Sequence, residues 1–153
     1  MKKGLFYFIP MLLIVAMIAC GSEDSTSSNA TTQTTNSAAK GFSIKLSAVE
    51  FNEKMAGLSN ATIVDVRTPG ELQETGKIKN AVAVDFYGDG FEAAMDKFKK
   101  DEPIMVYCKS GGRSGKTAKL LKKKGFTQIY DLKGGMSGWL KNKFEVEKVE
   151  VAK

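Results

Sequence analysis

Short apolar runs alternate with segments of helical pattern between residues 42 and 153, and this alternation limits the folds that the chain can adopt. The runs are rich in β-branched and aromatic residues, as buried strands are. Strands that alternate with helices favour an α/β fold, in which helices cover both faces of a mostly parallel sheet. Ligands in such folds bind beyond the carboxyl ends of the strands. The predicted strands are Ile63-Val64, Val82-Ala83-Val84, Ile104-Met105-Val106-Tyr107 and Gln128-Ile129-Tyr130.

Four helices are predicted from start signals or from apolar spacing. Residues 47–50 have the capping-box pattern Ser-Ala-Val-Glu, which opens a helix that runs to about residue 57. Pro69 suits the first turn of a short helix, and apolar residues at helical spacing predict another over residues 91–100. The last helix follows the run that ends at Tyr107, with Ser114 as its N-cap and Gly125 after its final residue.

The N-terminal segment has the layout of a secretory signal. Two lysines precede an apolar stretch that is shorter than the ~20 residues of a membrane-spanning helix. The stretch ends in Met17-Ile18-Ala19-Cys20, which resembles a bacterial lipobox, although leucine is usual where Met17 stands. We expect residues 1–19 to be a lipoprotein signal peptide and Cys20 to be lipidated. The protein would then be anchored to a membrane of the bacterial cell envelope, with its domain on the extracytoplasmic side; the alternative is an ordinary secreted protein cleaved nearby.

Residues 20–41 have the composition of a linker. From Gly21 to Gly41, ten of 21 residues are Ser or Thr, and none is a large apolar residue. Such a segment cannot form a hydrophobic core. We expect a disordered tether that holds the domain of residues 42–153 on the order of 25 Å from the membrane.

Histidine is absent from the sequence. This excludes Ser-His-Asp triads, Cys-His dyads and zinc sites that need imidazole. The formal net charge of +6 comes without a basic stripe interleaved with aromatic residues, so we expect no nucleic-acid partner. If Cys20 carries lipid, the second cysteine, Cys108, has no partner within the chain. A leftover thiol in an exported protein is a candidate reactive group, with a buried cysteine that serves only in packing as the alternative.

The residues around Cys108 favour a reactive thiol. The cysteine ends a predicted strand and precedes a predicted helix, with the loop Lys109-Ser110-Gly111-Gly112-Arg113-Ser114 between them. The two glycines let several backbone N–H groups point at one spot. These groups, the helix dipole and two loop cations would lower the pKa of the thiol. A turn that merely connects strand and helix would need no cysteine.

Several motifs together resemble the rhodanese family, over nearly all of residues 42–153. The resemblance implies a three-layer domain with a mostly parallel five-stranded sheet. In one motif, Lys77 stands where the family usually has histidine, and Lys79-Asn80 replaces the usual turn; we expect this departure to affect packing or pH response more than sulfur transfer. The matching segments are Cys108 to Ser114, Asp65-Val66-Arg67, Leu132 to Trp139, and Glu71 with Gly76 to Ala81.

The resemblance implies a sulfurtransferase in which Cys108 takes the outer sulfur of a donor, holds it as a persulfide and passes it to a thiophilic acceptor, for which a thiol protein is one candidate. The loop residues 109–114 would bind the donor, and Arg113 would orient an anionic donor such as thiosulfate. Asp65, Arg67 and Glu71 would support the loop by ion pairing. We expect a monomer that needs no metal and no organic cofactor.

Two other functions remain open from the sequence. A phosphatase or arsenate reductase of the related cell-cycle type also uses a cysteine in an anion-binding loop, but its arginine follows the cysteine by six positions. Arg113 follows Cys108 by five, and this tighter loop suits a single sulfur atom better than a tetrahedral oxyanion. The second alternative is a module that carries a persulfide or binds a partner without catalysis.

Overall fold

The computed structural model describes residues 41–149, which fold as five strands alternating with five helices. The predicted signal peptide, Cys20 and most of the predicted tether lie outside the described residues. In chain order the elements are β1 (Phe42–Leu46), α1 (Ala48–Gly57), β2 (Thr62–Asp65), α2 (Pro69–Thr75), β3 (Val82–Ala83), α3 (Phe91–Met95), β4 (Ile104–Tyr107), α4 (Gly112–Lys123), β5 (Gln128–Leu132) and α5 (Gly135–Lys141).

The five strands form one sheet in the order β1-β5-β4-β2-β3, and every pair within it is parallel. This confirms the predicted α/β fold. β1 was not predicted, although its apolar residues alternate with polar ones as in a half-buried strand. In this edge strand Phe42 and Ile44 are 40% and 41% exposed. β4 lies in the middle of the sheet and is buried along its whole length.

Alternate residues of β4 separate the core into two clusters. Met105 and Tyr107 face the cluster that includes Phe51 of α1 and Trp139 of α5. Trp139 is 2% exposed and packs within this cluster. Ile104, Val106 and Cys108 face the other cluster, which α3 and α4 cover. Helices therefore pack on both faces of the sheet, and Cys108 emerges on the α4 side.

The predicted helices at residues 47–57 and at Pro69 are confirmed, and both begin with a complete capping box. The helix predicted over residues 91–100 is wrong in length, since α3 ends at Met95. After Met95 the backbone tightens to hydrogen bonds between residues three apart, and Phe98 packs against the core from that turn. None of the helices within residues 41–149 combines the length and the apolar character of a membrane span.

Candidate active site

The thiol of Cys108 lies between the end of β4 and the start of α4. Gly111, at the N-cap of α4, has a φ of 96°, which a residue with a side chain adopts only with strain. This conformation turns the chain back toward the sulfur, and the Gly111 N–H donates a hydrogen bond to Sγ at 3.1 Å. Cys108 is only 1% exposed, so its sulfur is enclosed by its own loop.

The prediction that Ser114 is the N-cap of α4 is wrong. The positive φ of Gly111 starts the helix earlier, which makes Ser114 the third helical residue. There it is fully buried, and its backbone N–H and its hydroxyl both lie against the Cys108 sulfur. Ser114 therefore faces the thiol instead of capping the helix.

Two opposing effects act on the pKa of the Cys108 thiol. Burial raises this pKa, because a thiolate loses its hydration in the interior. Donors of Ser114 and the N–H groups of Ser110 and Gly111 lower it, because they stabilise the thiolate, and the Gly111 N–H does so through a hydrogen bond of good geometry. The donors prevail, and the pKa lies below its ordinary value. The loop thus favours a nucleophilic thiolate without histidine.

Arg113 forms a bidentate ion pair with Glu71 of α2, with both N–O distances at 2.7 Å. The same carboxylate completes the capping box of α2 by accepting from the Thr68 N–H at 3.0 Å. The pair with Arg113, aided by the hydrogen bonds from Thr68, lowers the pKa of Glu71 to about 2, although partial burial opposes this. The guanidinium also lies 5.6 Å from the centre of the exposed Tyr87 ring. Glu71 therefore ties the loop to α2.

Arg67 anchors α2 through a buried network of hydrogen bonds and one ion pair. Its guanidinium pairs with Asp65 at 2.7 Å and donates to the carbonyl oxygen of Gly76 at 2.6 Å and to the Thr75 hydroxyl at 2.7 Å. Asp65 and Arg67 are 0% and 2% exposed. These contacts tie the C-terminal end of the short helix that carries Glu71 to the end of β2. They do not touch the sulfur.

Two predicted site residues, Lys109 and Ser110, are exposed at the loop surface. Within residues 41–149, Lys109 forms no ion pair. Gly112 is exposed as well and begins α4. Of the predicted loop residues, Ser110, Gly111 and Ser114 supply donors to the Cys108 sulfur. The loop arginine lies against Glu71. No group of three or more metal-ligating side chains occurs among the described residues.

A rhodanese-like domain model matches residues 47–142 of the chain. The chain belongs to the rhodanese-like family. This assignment agrees with the loop, the parallel sheet and the positions of the motifs. The chain is also similar to three known proteins.

The first is an uncharacterised protein of Bacillus subtilis, YqhL, which is 37% identical over 87 residues, covering 57% of this chain and 67% of that protein. The second is thiosulfate sulfurtransferase GlpE of Glaesserella parasuis, 28% identical over 88 residues, covering 58% and 79%. The third is the solution structure of a polysulfide-sulfur transferase homodimer from Wolinella succinogenes, 28% identical, with a TM-score of 0.61 and coverage of 71% and 80%. The rhodanese-like domain thus has sulfurtransferase relatives at modest identity.

Lys77 of this rhodanese-like domain contacts the C-terminal segment. Its backbone pairs with Glu147 in both directions, at 2.8 and 2.7 Å, and its ammonium donates to the Ala81 carbonyl at 2.9 Å and lies 3.6 Å from the Glu147 carboxylate. These contacts give Lys77 a packing role.

The first turn of α5 supports the loop, which was not predicted. The Met136 N–H donates to the carbonyl oxygen of Cys108 at 2.7 Å, and the Ser137 N–H donates to that of Lys109 at 3.0 Å. Gly135 allows this approach, because a Cβ there would overlap the Cys108 carbonyl. The adjacent glycines Gly134 and Gly135 were the sequence feature that could have indicated this close approach.

A second residue that the sequence analysis missed is Asp131. It lies on β5, is 2% exposed and faces Ser114. A charged residue within a buried strand could have marked Asp131 as unusual. Its position beside the loop could not be predicted, because that position depends on the pairing of β4 with β5.

Proposed function

We propose that this protein is a sulfurtransferase that moves a sulfane sulfur through a persulfide on Cys108. The thiolate attacks the outer sulfur of the donor, and a new S–S bond forms at Cys108. The donor's S–S bond breaks, and with thiosulfate the electron pair leaves on sulfite. An acceptor nucleophile then takes the outer sulfur, and the Cys108 thiolate is restored.

The observation that carries this proposal is the Cys108 sulfur itself, buried at a helix start and surrounded by donors that lower the pKa of its thiol. The same donors would stabilise the persulfide anion, whose charge lies one atom further out. The family assignment and the sulfurtransferase relatives support the same chemistry. A phosphatase is less well supported, because Glu71 occupies the guanidinium that would have to bind an oxyanion.

Replacing Cys108 with serine tests the nucleophile. The change alters little volume, so we expect a folded protein whose sulfur transfer falls to background. Cyanide-dependent thiocyanate release measures turnover, and circular dichroism measures folding. A folded Cys108→Ser protein that still transfers sulfur would refute the proposal.

The proposed donor is a small anion such as thiosulfate, and Lys109 provides the test. Because Arg113 is paired with Glu71, Lys109 is the loop cation that remains available. We expect Lys109→Ala to lower kcat/KM for thiosulfate roughly tenfold, as for the loss of one charge-assisted contact of about 1.5 kcal/mol. Arg113→Ala should lower kcat/KM for thiosulfate more than Lys109→Ala does, because it leaves the Glu71 carboxylate without its partner beside the loop.

Kinetics with thiosulfate and with 3-mercaptopyruvate, at two salt concentrations, distinguish the donors. The Lys109→Ala defect should shrink at high salt, because salt screens an exposed charge. Better turnover of 3-mercaptopyruvate by the wild type, or no effect of either substitution on thiosulfate, would overturn the thiosulfate assignment. A stable Cys108 persulfide without turnover of any small donor would instead indicate a carrier.

A further inference from the structure

Asp131 occupies a position on β5 at which the alternation of side chains predicts an apolar residue. Ile129, two residues earlier, faces the cluster beneath α4, and Asp131 faces the same way because side chains alternate along a strand. Its register partner on β4 is Val106, which belongs to that cluster. The carboxylate is therefore buried in an apolar layer directly behind the Cys108 loop.

Neither carboxylate oxygen of Asp131 has a hydrogen bond of good geometry within residues 41–149, and the same is true of the Ser114 hydroxyl. The carboxylate lies at the start of α4, since its Oδ2 is 3.6 Å from where a Cβ on Gly115 would lie, and the neighbouring Ser114 lowers the pKa of both the Asp131 carboxyl and the Cys108 thiol. From β1, the exposed Lys45 reaches one carboxylate oxygen at 3.8 Å. Lys45 from β1 and Ser114 from α4 are the described polar or charged side chains that face Asp131.

These contacts set the protonation of Asp131. Burial raises the pKa of its carboxyl, and the Ser114 hydroxyl and Lys45 oppose this without cancelling it. A buried carboxylate with so few partners is costly, and an apolar residue would pack there at no such cost. A role at the neighbouring sulfur would account for keeping it.

We propose that Asp131 is a positioning residue for the Cys108 nucleophile and acts through the single hydroxyl proton of Ser114. A protonated Asp131 donates to the Ser114 oxygen, which leaves the Ser114 proton to donate to the sulfur anion. An ionised Asp131 accepts that proton instead and turns it away from Cys108. The proton on Asp131 thus decides whether the thiolate, or the persulfide anion of the proposed function, receives one more hydrogen bond.

Asp131→Asn tests this arrangement, because its NH2 group can donate to Ser114 at every pH, whereas the carboxyl donates only when it is protonated. The measured quantity is the rate of Cys108 alkylation by iodoacetamide as a function of pH, read in the full chain by mass spectrometry of the Cys108 peptide. In Asp131→Asn the midpoint should move to lower pH, and alkylation below both midpoints should rise roughly tenfold, as for one added charge-assisted hydrogen bond. Asp101→Asn, which removes an exposed carboxylate before β4, is the matched control and should change nothing.

Ser114→Ala separates the hydroxyl from simple charge. Loss of the Asp131 charge acts through space in either background, so a small shift should remain in Ser114→Ala/Asp131→Asn. The proposal requires a shift several-fold larger when Ser114 is present. Equal shifts in both backgrounds, or none with Ser114 present, would overturn it.

A reciprocal measurement needs no substitution at Asp131. By linkage, removal of the thiolate in Cys108→Ser should lower the titration midpoint of the Asp131 carboxyl, followed by carbon NMR, and Ser114→Ala should weaken this dependence. An Asp131 titration midpoint that is the same in the wild type and in Cys108→Ser would contradict the proposal. Alkylation and NMR use no sulfur donor, so failure here is distinct from failure of the sulfurtransferase function on which the persulfide part rests.

Discussion

One carboxylate, that of Glu71, both caps α2 and holds the arginine of the Cys108 loop. The order of the loop therefore depends on a residue far from it in sequence. The motif resemblance suggested that Glu71 supports the loop, but sequence alone could not supply its partner. That contact requires α2 and α4 to lie side by side at the carboxyl edge of the sheet.

Glu71→Gln isolates the ion pair from the cap, because glutamine still completes a capping box. We expect a loss of about 1 kcal/mol in the free energy of unfolding, since the bidentate pair is partly exposed. Glu50→Gln in the capping box of α1 is the matched control, because Glu50 has no arginine partner there. Urea denaturation of both variants measures the difference, and equal losses would show that the pair with Arg113 adds nothing.

The pH dependence of this pair follows from the lowered pKa of Glu71, which is about 2. A depressed carboxyl pKa stabilises the fold fully above the unfolded value of about 4. The contribution is lost as pH falls through 2. The stability gap between wild type and Glu71→Gln should therefore be constant from pH 5 to 8 in urea denaturation and narrow only at lower pH. A gap that closes near pH 5 would contradict the assigned direction.

Asp131→Asn should make the protein more stable at neutral pH. Burial raises the pKa of Asp131, so its ionisation destabilises the fold as pH rises above the unfolded value of about 4. Asparagine removes that penalty, for which we expect a gain on the order of 1 kcal/mol. Thermal unfolding should show the gain at pH 7 and not below the unfolded value. A less stable variant at pH 7 would mean that the Lys45 contact outweighs the cost of burial.

The strands and helices with strong local signals were predictable. β4 is a continuous apolar run, and α1 carries a complete capping box, so both were found where expected. β1 has no such run; its apolar residues alternate with polar ones, a signal too short to decide the strand without its pairing with β5. The start of α4 was misplaced because the positive φ of Gly111, and not a serine cap, begins the helix.

Gly135→Ala tests the support that α5 gives the loop. The glycine has a φ of 54°, and a Cβ would overlap the backbone of Cys108. We expect a loss of at least about 2 kcal/mol in stability, together with reduced sulfur transfer, because the strand exit must shift. Gly70→Ala, in open space within α2, is the control and should leave the melting temperature nearly unchanged. A Gly135→Ala protein with wild-type melting and activity would show that α5 does not position Cys108.

The protein combines a rhodanese-like domain with an N-terminal segment that is interpreted from the sequence alone. The fold and the Cys108 loop could be anticipated because their motifs are local. The contacts of Asp131 and Glu71 could not, because they join parts of the chain that only the parallel sheet brings together. The predicted lipidation of Cys20 lies outside the described residues and stays a prediction.

Membrane fractionation tests that lipidation. Two acyl chains would attach the protein stably to a bilayer, so we expect wild type in the membrane fraction and Cys20→Ala largely out of it. Cys108→Ser is the matched control, since it removes the other cysteine and should fractionate like wild type. Identical partitioning of Cys20→Ala and wild type would refute the lipobox interpretation.

The central claim is that Cys108 carries the transferred sulfur, and the mass of the intact protein tests it most directly. After incubation with thiosulfate and removal of the donor, the wild type should gain the mass of one sulfur atom, located on the Cys108 peptide. Cyanide should remove that mass and yield an equal amount of thiocyanate, and Cys108→Ser should gain nothing. A wild type that forms thiocyanate without ever gaining sulfur on Cys108, or that gains it elsewhere, would contradict the account.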